Sequence, residues 1–514
     1  MQERILVVDT QQESRGTWRS LFSLIGRPNV QWQSDLIALF SKKQHFDVDL
    51  VFVAADLEPQ ISGYELIRYL RMERMVPLWC QFVVLCSSGK SKPAATFQSL
   101  VHVKLIHAPL SSKALRDLVN ANLASLKLFK PVWQKIEKLG PRQLAGEMNK
   151  LNFNATAEPF KEHLDRLKVD LFMRNRATGL ATSAMQQMKN QECKLEQKLN
   201  LALEKGEQGE FTEISKELLN QRLYVDTCHQ GAILKAIYNG DNKKALVKFR
   251  ENIQKDKKFS DILLGTVLIA FNEGISKALA FLEGEKSKQS PKTLTFYLLE
   301  KSYIHIFLLA FILGKEGNIP IKELGAAIKS YTEGKALTYE ELQLKTHRPF
   351  LQLMLLVFKN GDSTEGYFEL LYKYLPGLSP LQLSILLFAA LKLGRQDAAF
   401  TIHKRLDEAI SGMDVHGIKL AYLLTQQLLI QKLMSKEMVF EHLTKISAHY
   451  IEKNKPFWAL DKYAFVFSHC VTDYPFQVNL LKLMKELSVV AYWDMTQQQV
   501  AAQIKKYKLT HVGV

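Results

Sequence analysis

The 514-residue sequence predicts two architectures in series, an α/β doubly wound domain followed by an all-α array of helix pairs. Three observations carry this. Up to about residue 127, short apolar runs alternate with amphipathic stretches, as buried parallel strands alternate with the helices that cover them. Beyond residue 130, apolar residues recur at three- and four-residue spacing, the period of helices with one buried face. Within that second region, three glycines stand 34 residues apart.

The elements follow in order. Arg4–Val8, Leu50–Val53, Gln81–Cys86 and Val101–His107 are short apolar runs suited to buried strands, and Asn29–Trp32 is a weaker run that fits the second strand. Between them, Ser14–Ile25, Ser62–Arg71 and Ser111–Leu126 read as helices, the first and third opening on a serine suited to N-capping. Leu126–Lys138 continues the last helix in composition as far as Pro131. Gly140, Pro141, Asn152 and Asn154 then mark turns between short helices. The expected boundaries are a sheet domain over 1–127, a helical connector over 128–199 and helical repeats over 200–514, regular to about 285 and irregular after.

Three motifs make the first domain specific. Ile5–Asp9 reads ILVVD, Ala55–Ile67 reads ADLEPQISGYELI and Ala108–Leu115 reads APLSSKAL. They resemble the first strand, the third strand with its loop, and the fifth-strand turn of response-regulator receiver domains. The resemblance implies a receiver-like, flavodoxin-like fold and a phosphate-handling site of five positions, four of which are changed here. Where a receiver has two adjacent acidic residues to hold Mg²⁺, this chain has Asp9 followed by Thr10. With Pro59 and Gly63 as anchors and no gap, the nucleophilic aspartate falls on Ala55. The hydroxyl residue ending strand 4 becomes Cys86, and the lysine preceding the strand 5 proline becomes Ala108 before Pro109.

Each loss has a physical consequence. One carboxylate, Asp9, holds Mg²⁺ only weakly. Alanine carries no nucleophile, so no acyl-phosphate forms at Ala55. Replacing lysine by Ala108 removes the cation that would neutralise phosphoryl oxygens. The competing acceptor is Asp56, which takes the role if the following loop is one residue short. Successive strand residues face opposite ways, which weighs against it, and its plain role is to cap or solvate a loop.

Composition narrows the function classes. The formal net charge of +16 is spread along the chain, with 16 basic against 11 acidic residues up to Lys130. Lys243–Lys258 and Lys505–Lys508 read as solvated helix faces, and no basic stripe with aromatic readers marks a nucleic-acid surface. Cys80, Cys86, Cys193, Cys228 and Cys470 lack paired spacing, which fits a reducing cytosol. There is no signal segment at the N-terminus. Ile304–Leu313 and Leu383–Leu393 are shorter than a membrane span and read as buried helices. His442 and His449 lie seven apart without an acidic or cysteine partner at ligand spacing, so they read as isolated surface histidines. Cys228–His229 and His469–Cys470 diverge on a helix. Ser87–Lys92 (SSGKSK) lacks the full phosphate-loop spacing. No metal site, cofactor or catalytic constellation is expected.

The glycine period belongs to ALEKG, AIYNG and AFNEG, whose glycines are Gly206, Gly240 and Gly274. Less regular copies end at Gly314, Gly361 and Gly394. In Gly240–Phe249 (GDNKKALVKF), Ala245 and Phe249 lie five and nine residues after the turn glycine, whereas Gly394–His403 (GRQDAAFTIH) keeps Ala399 but has His403 in the aromatic's place. These segments resemble tetratricopeptide repeats, in which a small residue lets paired helices cross closely and an aromatic fills the gap to the next pair.

Together the resemblances imply a cytoplasmic two-component signalling adaptor that is not an enzyme. Its receiver face, expected at Cys86, Ser87, Val103, Leu105, Ala108 and Pro109, would dock a histidine kinase, a phosphotransfer domain or a response regulator, while the repeat groove takes a peptide or helix. Packing and loop closure are the plain roles of those six residues. Two alternatives stand beside this expectation: a phosphorylatable regulator using Asp56, and a nucleic-acid-binding regulator using the basic helical surface.

Overall fold

A computed structural model describes residues 4–10, 14–27, 29–41, 46–58, 61–72, 75–77, 79–86, 103–107, 111–136, 146–147, 165, 168–169, 171–173, 178–189, 191–205, 208–221, 225–238, 241–252, 259–291, 293–313, 347–411, 416–453, 455–486 and 500–502. Two compact units are present. The first is Met1–Lys198 with Leu218–Tyr224 and Gln289–Leu298, and the second is Leu199–Glu217, Val225–Lys288 and Leu299–Val514. Almost all of the 128–199 segment thus groups with the sheet.

In the first unit, β1 (Ile5–Val8), β2 (Val30–Gln33), β3 (Leu50–Ala54), β6 (Gln81–Cys86) and β7 (Val103–His107) form a five-stranded sheet of order β2-β1-β3-β6-β7. Every pairing in it is parallel. The order reverses between β1 and β3, the switch point at which doubly wound sheets open a crevice at the strands' carboxyl ends. The helices of this domain are α1 (Ser14–Leu24), α2 (Leu36–Ser41), α3 (Gly63–Met72) and α4 (Ser112–Ile136), and a small antiparallel hairpin, β4 (Asp56–Glu58) with β5 (Ile61–Ser62), follows β3.

Period-two alternation divides the central strands β1, β3 and β6 between two buried faces. Ile5, Val7, Leu50, Phe52, Val83 and Leu85 pack with Trp18 and Phe22 of α1 and Leu115, Leu118 and Val119 of α4. Leu6, Val8, Val51, Val53, Phe82 and Val84 are equally buried, and Arg71 of α3 lies over the Phe82 ring. Sheets covered on both sides require such near-continuous apolar strands.

The caps are local. Ser111 Oγ accepts from the Ala114 amide, as expected of a capping serine. Ser62 and Glu65 form a reciprocal capping box at α3: Ser62 Oγ accepts from the Glu65 amide and Glu65 Oε2 from the Ser62 amide. The α4 helix continues through Pro131 to Ile136, beyond the stop expected there. Proline removes one N–H and so one intrahelical bond, a loss that need not end a helix this long.

The rest of the chain is helical wherever it is described in secondary structure. It begins with α5 (Thr178–Gln186), α6 (Gln191–Lys205), α7 (Gln208–Asn220), α8 (Val225–Tyr238), α9 (Asn242–Asn252), α10 (Phe259–Glu273) and α11 (Ile275–Lys286). Next come α12 (Leu294–Leu313), α13 (Arg348–Lys359), α14 (Thr364–Tyr372), α15 (Pro380–Lys392) and α16 (Gln396–Ser411). The series ends with α17 (His416–Leu433), α18 (Lys436–Glu452), α19 (Pro456–His469) and α20 (Tyr474–Glu486). The described stretches of α6, α8 and α10 open 34 residues apart, at Gln191, Val225 and Phe259, and those of α7 and α9 at Gln208 and Asn242. Gly206, Gly240 and Gly314 lie outside the described residues, whereas Gly274, with φ of 97°, breaks the chain between α10 and α11.

In the second unit, Ala245 is fully buried and Phe249 nearly so, and the Phe249 ring sits against Gly265 of α10, with its centroid 6.4 Å from that of Phe281 on α11. A Cβ on Gly265 would fall 2.2 Å from Phe249 Cζ. Gly265→Ala is therefore expected to destabilise the unit by roughly 1–3 kcal/mol through overpacking, read as a lower urea midpoint. Gly284→Ala, where a Cβ meets nothing, is the control that should not lower it.

Stacking of the helix pairs is not strictly sequential, as an open superhelix would have it. The α17 helix packs on α10, and Gly417 approaches so closely that a Cβ there would lie 2.9 Å from the Ser260 carbonyl oxygen. His305 of α12 bonds Thr425 of α17 at 2.6 Å. The α10, α12 and α15 sequences are apolar around most of their circumference, and such helices need cover on more sides than two sequence neighbours provide. The α12 helix starts at Leu294, ten residues before the apolar stretch read from the sequence. Its 20 residues make it the one described helix long and apolar enough to cross a membrane, and two-thirds of its most apolar window is buried in the protein.

Candidate functional site

Parallel strands deliver their carboxyl ends to one edge, and there the sheet gathers the positions whose motifs resemble a receiver's. Asp9 follows β1, is 9% exposed, and its amide donates to Gln33 O at 3.2 Å. Thr10 Oγ1 donates to Leu57 O at 2.9 Å, tying the loop after β1 to β4. Ala55 extends the β3 ladder, its amide donating to Leu85 O at 2.8 Å and its carbonyl accepting from Gly63 N at 2.8 Å. A Cβ on Gly63 would lie 2.4 Å from Ala54 O, so glycine is required where α3 starts. The loop around Asp56 is thus folded back as a hairpin, with Asp56 paired to Ser62 and exposed.

Cys86 ends β6, half-buried. Burial raises its thiol pKa, and the nearby Asp56 carboxylate raises it further, so the thiol stays protonated. Among the positions likened to a receiver's, Asp9 supplies one carboxylate, Thr10 a neutral hydroxyl that donates to Leu57 O, and Ala55 no side-chain oxygen, a set that holds Mg²⁺ weakly. Of the expected docking residues, Val103 is buried at 5% exposure and so offers no contact surface, while Leu105 and Cys86 are half-buried. Ser87, Ala108 and Pro109 lie outside the described residues, as does Pro59.

A second constellation, in the helical unit, was not apparent from the sequence. His403 and Asp407 on α16 meet Gln426 of α17, His442 and Tyr450 of α18 and Lys462 of α19. Asp407 Oδ1 accepts from Gln426 Nε2 at 2.9 Å and from Lys462 Nζ at 2.7 Å, and Oδ2 accepts from the Tyr450 hydroxyl at 2.7 Å. His403 Nδ1 stands 2.9 Å from His442 Nε2 with the two rings stacked, and His403 Nε2 is 3.7 Å from Asp407 Oδ2. The carboxylate favours an N–H on the nitrogen that faces it, which makes His403 Nδ1 the acceptor and His442 Nε2 the donor.

His442 is therefore not an isolated surface histidine. It is 5% exposed, because its partners come from another helix. Burial lowers the pKa of both histidines, and Lys462 pushes the same way against Asp407, so both are neutral, with His442 at about 4. Burial alone would raise the Asp407 pKa, but the Lys462 charge and the bonds from Lys462 and Tyr450 outweigh it and hold the carboxyl below its ordinary value. Every oxygen of this carboxylate is saturated by the chain itself, and the two imidazole nitrogens that face each other leave no room for an ion between them. The cluster is a four-helix fastening rather than a reaction centre.

His403 occupies the slot that an aromatic fills in GDNKKALVKF, and its spacing of four to Asp407 is the one signal the sequence held. Comparison with protein-family models, curated proteins and solved structures returns no match, so fold and site rest on the chain's own geometry.

Proposed function

We propose that this protein is a signalling scaffold whose receiver-like domain engages a two-component protein without accepting phosphate, while its tetratricopeptide-like helical unit holds a second protein. The observation that carries the reading is Ala55: the position at the carboxyl end of β3 that would attack phosphorus has no side-chain oxygen. Its backbone is locked between Leu85 O and Gly63 N. Thr10 supports the same reading, since a neutral bond to Leu57 O replaces a metal-binding carboxylate. The repeat reading is supported by the 34-residue spacing of the described helix stretches and by Phe249 packed into Gly265. A domain of this kind works by occupancy, competing for or bridging partners.

Asp56 defines the second reading, because its charge acts on Cys86 at the same edge. Incubation of the full chain with acetyl phosphate and Mg²⁺ separates the two. The expected result is no acyl-phosphate on intact-mass measurement, identical in wild type and Asp56→Asn. A label that Asp56→Asn abolishes would replace the scaffold reading with a phosphorylated switch.

A further inference from the structure

The outer side of the α16–α18–α19 junction carries cations that lack enough anions of their own. Lys404 Nζ and Lys445 Nζ both lie over the Phe400 ring, 4.5 and 5.0 Å from its centroid. His449 meets the same ring edge-on at 6.2 Å, and Lys453 and Lys455 follow it at the end of α18 and the start of α19. Among the described residues the anions nearby are Asp397, Glu408, Glu452 and Asp407, the last already committed to Lys462. Asp397 is paired with Lys445 at 3.4 Å but almost fully exposed, and Glu408 is held by Arg405 at 2.9 Å. Like charges consequently press on one another. Burial lowers the His449 pKa, and Lys404, Lys453 and Lys455 lower it further against Glu452. Burial and Lys453 do the same to Lys404 against Glu408.

We infer that this surface, centred on Phe400 with Lys404, Lys445, His449, Lys453 and Lys455, binds an acidic peptide segment of a partner protein. An anionic chain would relieve the repulsion among cations contributed by three helices, which is charge complementarity of the kind that selects partners. A nucleic acid fits less well. Strand binding needs free aromatic faces on which bases stack, but lysines cover Phe400 here, and the neighbouring Trp458 is buried beneath Lys455.

The inference rests on the reading of the helical unit as protein-binding, and names the chemistry that unit prefers. It is tested on the full chain by fluorescence anisotropy with a fluorescein-labelled Glu- and Asp-rich peptide, and in parallel with a labelled single-stranded oligodeoxynucleotide. Lys404→Gln with Lys445→Gln should weaken the peptide about tenfold, two charge contacts of ordinary strength. Lys243→Gln with Lys244→Gln, on exposed α9, should leave it unchanged. The His449 pKa, followed by NMR, should rise on peptide binding. Absence of peptide binding, equal loss in both double variants, or tighter binding of the oligonucleotide through Lys404 and Lys445 would overturn the inference. None of these outcomes bears on the phosphodonor result, so the two readings fail separately.

Discussion

Asp407→Ala should destabilise the helical unit by about 3–5 kcal/mol, the cost of leaving a buried charge without its partner. The substitution strands the Lys462 ammonium, 14% exposed, together with the Tyr450 hydroxyl and the Gln426 amide, each of which donates to this carboxylate. Asp407→Asn keeps the shape and one acceptor, and should cost less. The informative variant is the double one: Asp407→Leu with Lys462→Met removes both charges, and it should recover much of the loss, because paired buried ions contribute little net stability once their desolvation is counted. Urea unfolding followed by far-UV circular dichroism measures all three. A loss below about 1 kcal/mol for Asp407→Ala would mean that water replaces the carboxylate and that the four helices are held by apolar packing alone.

This fastening shows where sequence reading stops. The strands were legible because each is a contiguous apolar run, and the α4 cap because Ser111 and Ala114 are three residues apart. The Ser62–Glu65 box is equally local, an S-x-x-E signal at the start of α3. Ala245 and Phe249 were legible as buried positions because they fall four apart on one face of α9. Asp407, by contrast, finds its partners 19, 43 and 55 residues away, and His403 finds His442 at 39. Those separations come from how successive helices turn and stack, which no local spacing encodes.

The packing of α17 on α10 and α12 was hidden for the same reason. A period predicts neighbours in sequence, whereas Gly417 and Ser260 meet across most of the array. At the sheet's carboxyl edge, Asp9, Thr10, Ala55 and Cys86 stand where β1, β3 and β6 end, a placement that contiguous strand runs make legible. Those runs could not foresee the β4–β5 hairpin that turns Asp56 outward, because its pairing depends on how the loop closes on α3.

The same helical unit should lose stability as pH falls from 6.5 towards about 4, well before its carboxylates titrate. Three buried histidines are responsible. His305 is held at a pKa of about 4 by burial, His442 at about 4, and His403 well below its ordinary value. His305 also has a defined tautomer: Thr425 Oγ1 donates its proton to Ala421 O, so it must accept from His305 Nε2–H, leaving Nδ1 buried without a partner.

Folded pKa values below the unfolded value near 6.5 mean that the unfolded chain binds protons first. The contribution to stability is complete above 6.5 and is lost as pH drops through the interval down to the folded pKa. At pH 5 this amounts to about 2 kcal/mol for His305, with a further loss from the His403–His442 pair, which titrates as one system through its 2.9 Å bond. The depressed Asp407 carboxyl has the opposite protonation chemistry but the same direction, and its share disappears only below about 3.9. Unfolding midpoints between pH 7.5 and 5 isolate the histidines. His305→Phe keeps a ring beside Tyr422, whose centroid lies 5.0 Å away, and leaves the Thr425 proton satisfied, so it should flatten the pH profile by up to one proton. A profile as steep in His305→Phe as in wild type would show that the neutral, buried state of His305 contributes nothing to acid sensitivity.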